Sequence, residues 1–338
     1  MATGTGRGGG RLVCCGLSTL DVQQTVERLP GPDEKVVAQD LDVTFGGPAA
    51  NAAAVAVALG VPTRLVTALG AGPLADVARA GLEAAGVEVV DLAAGRPDVL
   101  PVSTVLVTRA TGARAVASVN GARVGDLAAA ADVAALVADA SAVLVDGHLV
   151  GVATPLAAAA RARGVPVLLD GGSWKPGTEA LLAHVELAVL SADFAVPDGP
   201  PGQGRSGAGS GGDGGGAGAA SGGAGTDGVD VLLDAVAAHG PRFVARSAGP
   251  GPVRVRAATA GGDGVHRTVV RPARLVPGAV VDTLGAGDVL HGAMAAALAR
   301  GASSLVALAE GVRCATLSVE HRGARGWLAA VRSAPRAG

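Results

Sequence analysis

The sequence predicts an α/β protein: a mostly parallel central sheet flanked by helices, with a small β lid. Three observations predict it. Runs rich in Val and Leu alternate with Ala-rich stretches along most of the 338 residues, the rhythm of a parallel sheet covered on both faces. Two segments, 21–45 and 102–118, break that rhythm with β-type patterning and no good helix. Hydrophobic residues make up 49% of the chain, yet it has three Phe, two Trp and no Tyr, so the core has to be built from Ala, Val and Leu.

In chain order, residues 11–17 read as the first buried strand, 48–59 as a helix and 64–69 as a strand. Residues 74–85 look helical and 87–92 extended. Strands follow at 142–145, 165–170 and 185–190, separated by helices near 153–163 and 178–184. Residues 103–109 and 114–118 form a hairpin that turns at Thr111-Gly112. This hairpin and 21–45 are expected to pair into a second sheet over one end of the first. Residues 1–10 read as a disordered tail and 11–334 as one domain, with lid segments near 18–46 and 100–119. Within it, 197–228 is almost wholly Gly, Ala, Ser, Pro and Asp. Such a segment cannot bury enough apolar surface to offset its ordering entropy, so it reads as a disordered insertion, with structure resuming at Val229.

Composition removes several classes. The net charge is −2 with both signs interspersed, and aromatics that could stack bases are nearly absent, which argues against nucleic-acid binding. No run approaches the ~20 apolar residues of a membrane span. The Gly-rich start has no apolar stretch before Leu12, unlike a signal peptide, so a cytoplasmic protein is expected. Cys14 and Cys15 are neighbours that a strand would point to opposite faces, and Cys314 is remote; all three read as reduced core thiols. His184, His239, His266 and His321 lack metal-ligand spacing.

The chemistry concentrates in Ala279-Val280-Val281-Asp282-Thr283-Leu284-Gly285-Ala286-Gly287-Asp288. Ala279 and the valines read as a short strand, Gly285–Gly287 as a tight turn, and the residues from Val289 to Arg300 as a helix. A turn at a helix N-terminus presents unpaired N–H groups and the positive end of the dipole, which favour a phosphate. A carboxylate there would repel that phosphate. Asp288 makes sense, however, as the base that takes a proton from an attacking hydroxyl while the amides stabilise the transferred group. The plain alternative is an Asp capping a helix.

Asp282-Thr283-x-Gly285-Ala286-Gly287-Asp288, followed by His291-Gly292-Ala293, resembles the C-terminal signature of the ribokinase-like (PfkB) carbohydrate kinases. Gly46-Gly47-Pro48-Ala49-Ala50-Asn51 resembles the family's N-terminal Gly-Gly-x-x-x-Asn motif, and Gly16–Asp21 its first strand and substrate-binding Asp. The resemblance runs from Arg11 to about Trp327, apart from the insertion, and implies the ribokinase-like fold. It also implies Asp288 as catalytic base and Gly285, Ala286 and Gly287 as anion hole. Asp21, Gly46, Gly47, Asn51 and Asp146 would bind substrate, and Asp282 and Thr283 would lie beside a monovalent cation. ATP, Mg2+ and K+ would be the cofactors and a small sugar the substrate; apart from the resemblance, an exposed lid edge suits pairing with another copy as a homodimer through the lid. By overall likeness the acceptor is of ketohexose type, as in fructose- and sulfofructose-type kinases; a nucleoside kinase of the same fold is the alternative.

The donor side departs from the pattern. Gly70-Ala71-Gly72-Pro73-Leu74-Ala75-Asp76 lacks the family's paired acids. Ser191-Ala192-Asp193-Phe194 stands where Asn-x-x-Glu organises magnesium, with Asp193 as the available acid, and Arg246-Ser247-Ala248-Gly249 stands in place of Thr-x-Gly. Ser191 and Arg246 become the candidate nucleotide contacts, and a catalytically weak sugar- or nucleotide-binding module becomes the rival from another class. A second rival is a dinucleotide fingerprint, Gly70-x-Gly72-x-x-Ala75 between two strands with Asp91 beyond; it leaves the 282–288 segment unexplained.

Overall fold

Arg11–Cys15 is one apolar run feeding two cores. Leu12 and Cys14 point into one, and Val13 and Cys15 into the other, as strand alternation requires. The computed structural model describes residues 10–109, 113–121, 123–197, 226–259, 261 and 264–329. The chain begins β1 (Arg11–Cys15), β2 (Thr19–Val26), β3 (Asp40–Gly46), α1 (Pro48–Ala58), β4 (Thr63–Thr67), α2 (Pro73–Ala84), β5 (Glu88–Asp91), β6 (Val102–Thr108) and β7 (Arg114–Ser118). It continues α3 (Val133–Leu136), β8 (Ala140–Val145), α4 (Val150–Ala162), β9 (Val167–Gly171), α5 (Thr178–Leu182) and β10 (Leu187–Leu190). After these come α6 (Thr226–Ala237), β11 (Phe243–Arg246), β12 (Val253–Ala258), β13 (Val265–Val270), α7 (Ala286–Ala299) and α8 (Ser304–Ser318).

The main sheet has nine strands in the order β13-β12-β11-β10-β9-β8-β1-β4-β5. It is parallel from β5 to β11, and β12 and β13 add antiparallel. Helices α1, α2, α7 and α8 cover one face with Ala, Leu and Val, and α4, α5 and α6 cover the other. The lid is a four-stranded sheet, β3-β2-β6-β7. Its two sequence segments meet as expected: β2 pairs with β6 in parallel register, Asp21 opposite Ser103.

Several expectations need correction. No strand forms at 279–281: the N–H groups of Val281 and Asp282 both bond the carbonyl of Val319, at 2.8 and 3.1 Å, and one shared acceptor closes a turn rather than a ladder. Helix α6 starts at Thr226, inside the segment read as disordered to 228. The first strand ends at Cys15, not 17, because the N–H of Leu17 turns to the Asp146 carboxylate, at 2.7 Å. Of the remaining calls on organisation, the tail 1–9, the turn at 111–112, the insertion 198–225 and the chain beyond 329 lie outside the described residues. No helix among the described residues is long and apolar enough to cross a membrane.

Candidate active site

The lid sheet and the first turns of two helices enclose a cavity of about 500 Å3. Strand alternation and register decide what the lid contributes. Asp21 opposes Thr44 on β3 and Ser103 on β6, so Asp21, Asp42, Thr44 and Ser103 share the face toward the cavity. The Asp21 carboxylate accepts a bond from the Thr19 hydroxyl at 2.6 Å, which orients it. Gly46 closes against this carboxylate, where a side chain would collide with it.

Helix α1 starts beside it because Gly47, at φ 95°, turns the chain and Pro48 fits the first helical position. A Cβ on Gly47 would strike the Leu17 carbonyl. One turn in, Asn51 is buried on the cavity floor. Helix α7 starts from Gly285 in the left-handed region, φ 73°, with Ala324 filling the space a side chain would need. The Ala286 N–H makes only a long bond, 3.3 Å, to the Thr283 carbonyl, and the first-turn amides of Gly287 and Asp288 have no acceptor within the helix.

Asp288 and Asn51 meet on the floor: Asn51 Nδ2 donates to Asp288 Oδ2 at 2.7 Å. The surroundings resist ionisation of Asp288. Burial, then the nearby Asp170 charge, push its pKa up to about 7, against the hydrogen bond from Asn51 and the attraction of His291. Beneath it, His291 Nδ1 lies 2.7 Å from the Gly287 carbonyl and 3.2 Å from Asp170 Oδ2, and Nε2 lies 3.1 Å from the Val189 carbonyl. Burial raises Asp170 as well, and lowers Lys175 next to it.

Several cavity residues were not foreseen, among them Asp42, Thr44, Ser103 and Arg325. Arg325 Nη1 donates to Asn51 Oδ1 at 2.6 Å and Nη2 to Thr44 Oγ1 at 2.6 Å, while the guanidinium stacks 3.9 Å over the Phe45 ring. Burial pulls its pKa down, opposed by Asp21, Asp42 and Asp288. It sits in a turn after α8, outside any motif, and only a basic residue near a family-like C-terminus could have flagged it.

Other expected site residues stand elsewhere. Asp146 is fully enclosed below the cavity, with its carboxylate accepting from the N–H groups of Leu17 at 2.7 Å, Ala49 at 3.2 Å and His148 at 2.9 Å. Burial alone would raise it, but His148 and these N–H groups hold it below the usual carboxylate range. It joins the end of β1 to the start of α1 and does not line the cavity, because Gly16 lets it pack directly under the chain. Asp282 spends its two oxygens on the N–H groups of Leu284 and Gly323, both at 2.8 Å, while Thr283 is exposed. The pair ties two loops together. Among the described residues no group of three or more His, Cys, Asp or Glu could hold a metal ion.

On the donor side, Ser191 Oγ donates to the Gly172 carbonyl at 2.9 Å and Arg246 Nη2 to the Ala192 carbonyl. Arg246 Nε is buried with no partner. Phe194 packs into the core against Trp174, ring centroids 6.1 Å apart, which makes Trp174 a loop anchor. The dinucleotide alternative fails on Asp91: its carboxylate is buried, bonded to the N–H groups of Leu69, Gly70 and Ala93 and to Arg79, and has none to offer a ribose. The three cysteines are buried thiols whose pKa values burial raises.

The chain matches the pfkB family of carbohydrate kinases over residues 10–194 and 217–329. Comparison with curated protein sequences finds no match. Among solved structures, a protein of Agrobacterium tumefaciens provisionally called a ribokinase is 24% identical with a TM-score of 0.73, covering 94% of each chain. Ribokinase of Arabidopsis thaliana, solved with ribose and ATP, is 21% identical with a TM-score of 0.65, covering 96% of this chain and 99% of its own. Phosphofructokinase-2 of Escherichia coli, solved with potassium, is 17% identical with a TM-score of 0.68, covering 96% and 98%. At these identities the likeness is one of fold, and the ribokinase-like architecture is shared.

Proposed function

Since the chain belongs to the pfkB family of carbohydrate kinases, we propose that it transfers the γ-phosphoryl group of ATP to a hydroxyl of a small sugar, with Asp288 as general base. One observation carries the reading. A carboxylate whose pKa is raised to about 7 lies on the floor of a polar cavity, at the open N-terminus of a helix. A base tuned near neutrality and an amide-lined anion site are the two parts phosphoryl transfer asks of a protein.

The sugar would rest between Asp21 on the lid and Asn51 on the floor, with the Gly46–Gly47 backbone alongside. Ionised Asp288 takes the proton of the attacking hydroxyl. The new O–P bond forms as the bond from the γ-phosphorus to the bridging oxygen breaks, and ADP leaves. The Gly285, Ala286 and Gly287 amides face the charge that builds on the transferred group. Ser191 and Arg246, at the carboxyl ends of β10 and β11, stand on the nucleotide side. Mg2+ would enter on the phosphates of ATP and neutralise their charge; no step is assigned to K+. The lid excludes water, which limits wasteful ATP hydrolysis. A homodimer through the outer face of the lid belongs to the same proposal.

A second reading is favoured by the donor side, where Ser191 and Arg246 are committed to backbone carbonyls. On that reading the protein binds a sugar or nucleotide and turns over weakly. ADP release over a panel of sugars, sugar phosphates and nucleosides separates the two. The wild type should release ADP with at least one acceptor. Asp288→Asn should lose about 10³-fold or more in kcat and keep acceptor affinity, measured by calorimetry. Turnover unchanged by Asp288→Asn removes the base assignment, and acceptor binding without ADP release by the wild type selects the second reading.

A further inference from the structure

We infer that Arg325 is a positioning residue for the base: its guanidinium fork fixes the direction of the Asn51 amide and ties lid strand β3 to Asp288. This rests on the reading of Asp288 as general base. A side-chain amide can sit in either of two orientations related by a flip. Here one flip puts Asn51 Nδ2 on the Asp288 carboxylate, 2.7 Å, and Oδ1 on the Arg325 guanidinium, 2.6 Å. The other would set an oxygen against a carboxylate and an N–H2 against a cation, two contacts without a proton to share or a lone pair to accept. A cation on one side and an acid on the other leave one stable orientation, the one that donates to the base.

Three features make Arg325 more than a surface charge. Its fork bridges elements, Thr44 on β3 and Asn51 on α1, and it stacks on Phe45. Among the described residues it has no carboxylate within ion-pair distance, so its two bonds go to neutral oxygens whose positions they set. The turn that carries it is itself held. Asp282 binds the Gly323 N–H and, through the Leu284 N–H, the loop that opens α7, and Trp327 Nε1 bonds the Ala324 carbonyl at 3.0 Å. Asp282 thus locks the arginine turn to the anion-hole loop. The chain Thr44–Arg325–Asn51–Asp288 connects a lid strand to the base, and a lid displaced from the cavity would release the fork.

The test is a double-mutant cycle of Arg325→Met with Asn51→Ala, read on kcat with the acceptor found in the ADP-release panel. Arg325→Met should lower kcat by on the order of tenfold to a hundredfold, the cost of misplacing a catalytic group. In the Asn51→Ala background the same substitution should change kcat by less than about threefold, because its route to the base is gone. A kcat within about twofold of wild type, or an equal loss in both backgrounds, overturns the proposal. Arg325→Lys keeps the charge and the packed stem but cannot grip two oxygens as a fork, so it covers the case in which Arg325→Met does not fold. The lysine variant should show the same non-additivity.

A second readout needs no turnover. In the free protein, the ¹³C resonance of the Asp288 carboxyl should titrate higher in Arg325→Met, and by more than the same substitution produces in the Asn51→Ala background, because loss of the guanidinium charge acts in both and loss of the Asn51 bond only in the first. Asp288 also faces Asp170 at the end of β9, Asp146 at the end of β8 and His291 one turn along α7, and the substitution touches none of them. An unmoved titration counts against the proposal. If the wild type releases no ADP with any acceptor, the kinase reading has failed on its own, and the carboxyl titration still decides whether Arg325 governs the Asn51–Asp288 contact.

Discussion

As the proposed general base, Asp288 works only when ionised, and burial with Asp170 nearby opposes ionisation until about pH 7. The consequence for rate has a definite sign. The competent fraction falls tenfold per pH unit below that value, so the kcat/KM profile of the free enzyme should show an acid limb near 7. A limb near 4 would mean that the carboxylate is not held as the structure shows. The consequence for stability runs the other way. The folded pKa exceeds the ordinary 3.8, so the fold prefers the neutral acid; that contribution is complete below about 4 and is lost as pH rises through 7. At this scale, what could be read from sequence was what lies inside short motifs. Asp21, Asn51 and Asp288 each stand in a local run whose glycines announce a turn, and the structure brings all three to one cavity. Arg325 is 274 residues from Asn51 and 281 from Thr44, and no local pattern encodes such a meeting. Asp146 shows the opposite case: an acid after a strand looks like a ligand, and here its carboxylate meets His148 and backbone N–H groups that no local pattern announces.

The geometry of those residues is set by helices α1 and α7, both largely buried and rich in Ala. Gly292 is the contact point. A Cβ there would meet the Ala52 carbonyl at 2.6 Å, Ala52 Cα at 2.8 Å and Val55 Cβ at 3.0 Å, so the helices touch backbone to backbone. A glycine inside a helix ordinarily costs about 1 kcal/mol against alanine. Here close packing returns more, because it seats Asn51, on α1, against Asp288, on α7. Gly292→Val should therefore destabilise by about 1–3 kcal/mol in urea titration, although it replaces a poor helix former. It should also lower kcat by parting the 2.7 Å contact. A variant as stable and active as wild type would show that the helices can separate freely. The helices themselves were legible, since an Ala-rich stretch between turn signals has few other options. The strand expected at 279–281 was not, because a valine pair satisfies strand patterning whether or not a neighbouring edge is free, and here Val319 offers one carbonyl instead of an edge.

Over the whole molecule, the lid's two faces have different duties. The inner face carries Asp21, Asp42, Thr44 and Ser103 to the cavity. Near its root the outer face packs on α2 through Leu20 and Phe45, but farther out Leu41 and Val43 on β3 are 60% and 43% exposed. The pairing of the two lid segments was readable from their break in the α/β rhythm; the division of faces needed the register, which pairs Val43 with Val22 and Asp42 with Gln23. Edges β3 and β7 each have one side unpaired within the sheet. Soluble proteins usually blunt such edges with charge or cover them, and an apolar face next to a free edge is most simply covered by a second copy in two-fold arrangement. The chain should sediment as a dimer at micromolar concentration. Leu41→Lys combined with Val43→Lys should shift it to monomer, since four like charges would then meet across the axis and lose their hydration. The inner-face residues are untouched, so the cavity keeps its floor and any loss of acceptor affinity in the monomer measures what the partner does for lid closure. Sedimentation of the wild type as a monomer would leave the outer face as ordinary exposed surface and remove the partner from the lid's function.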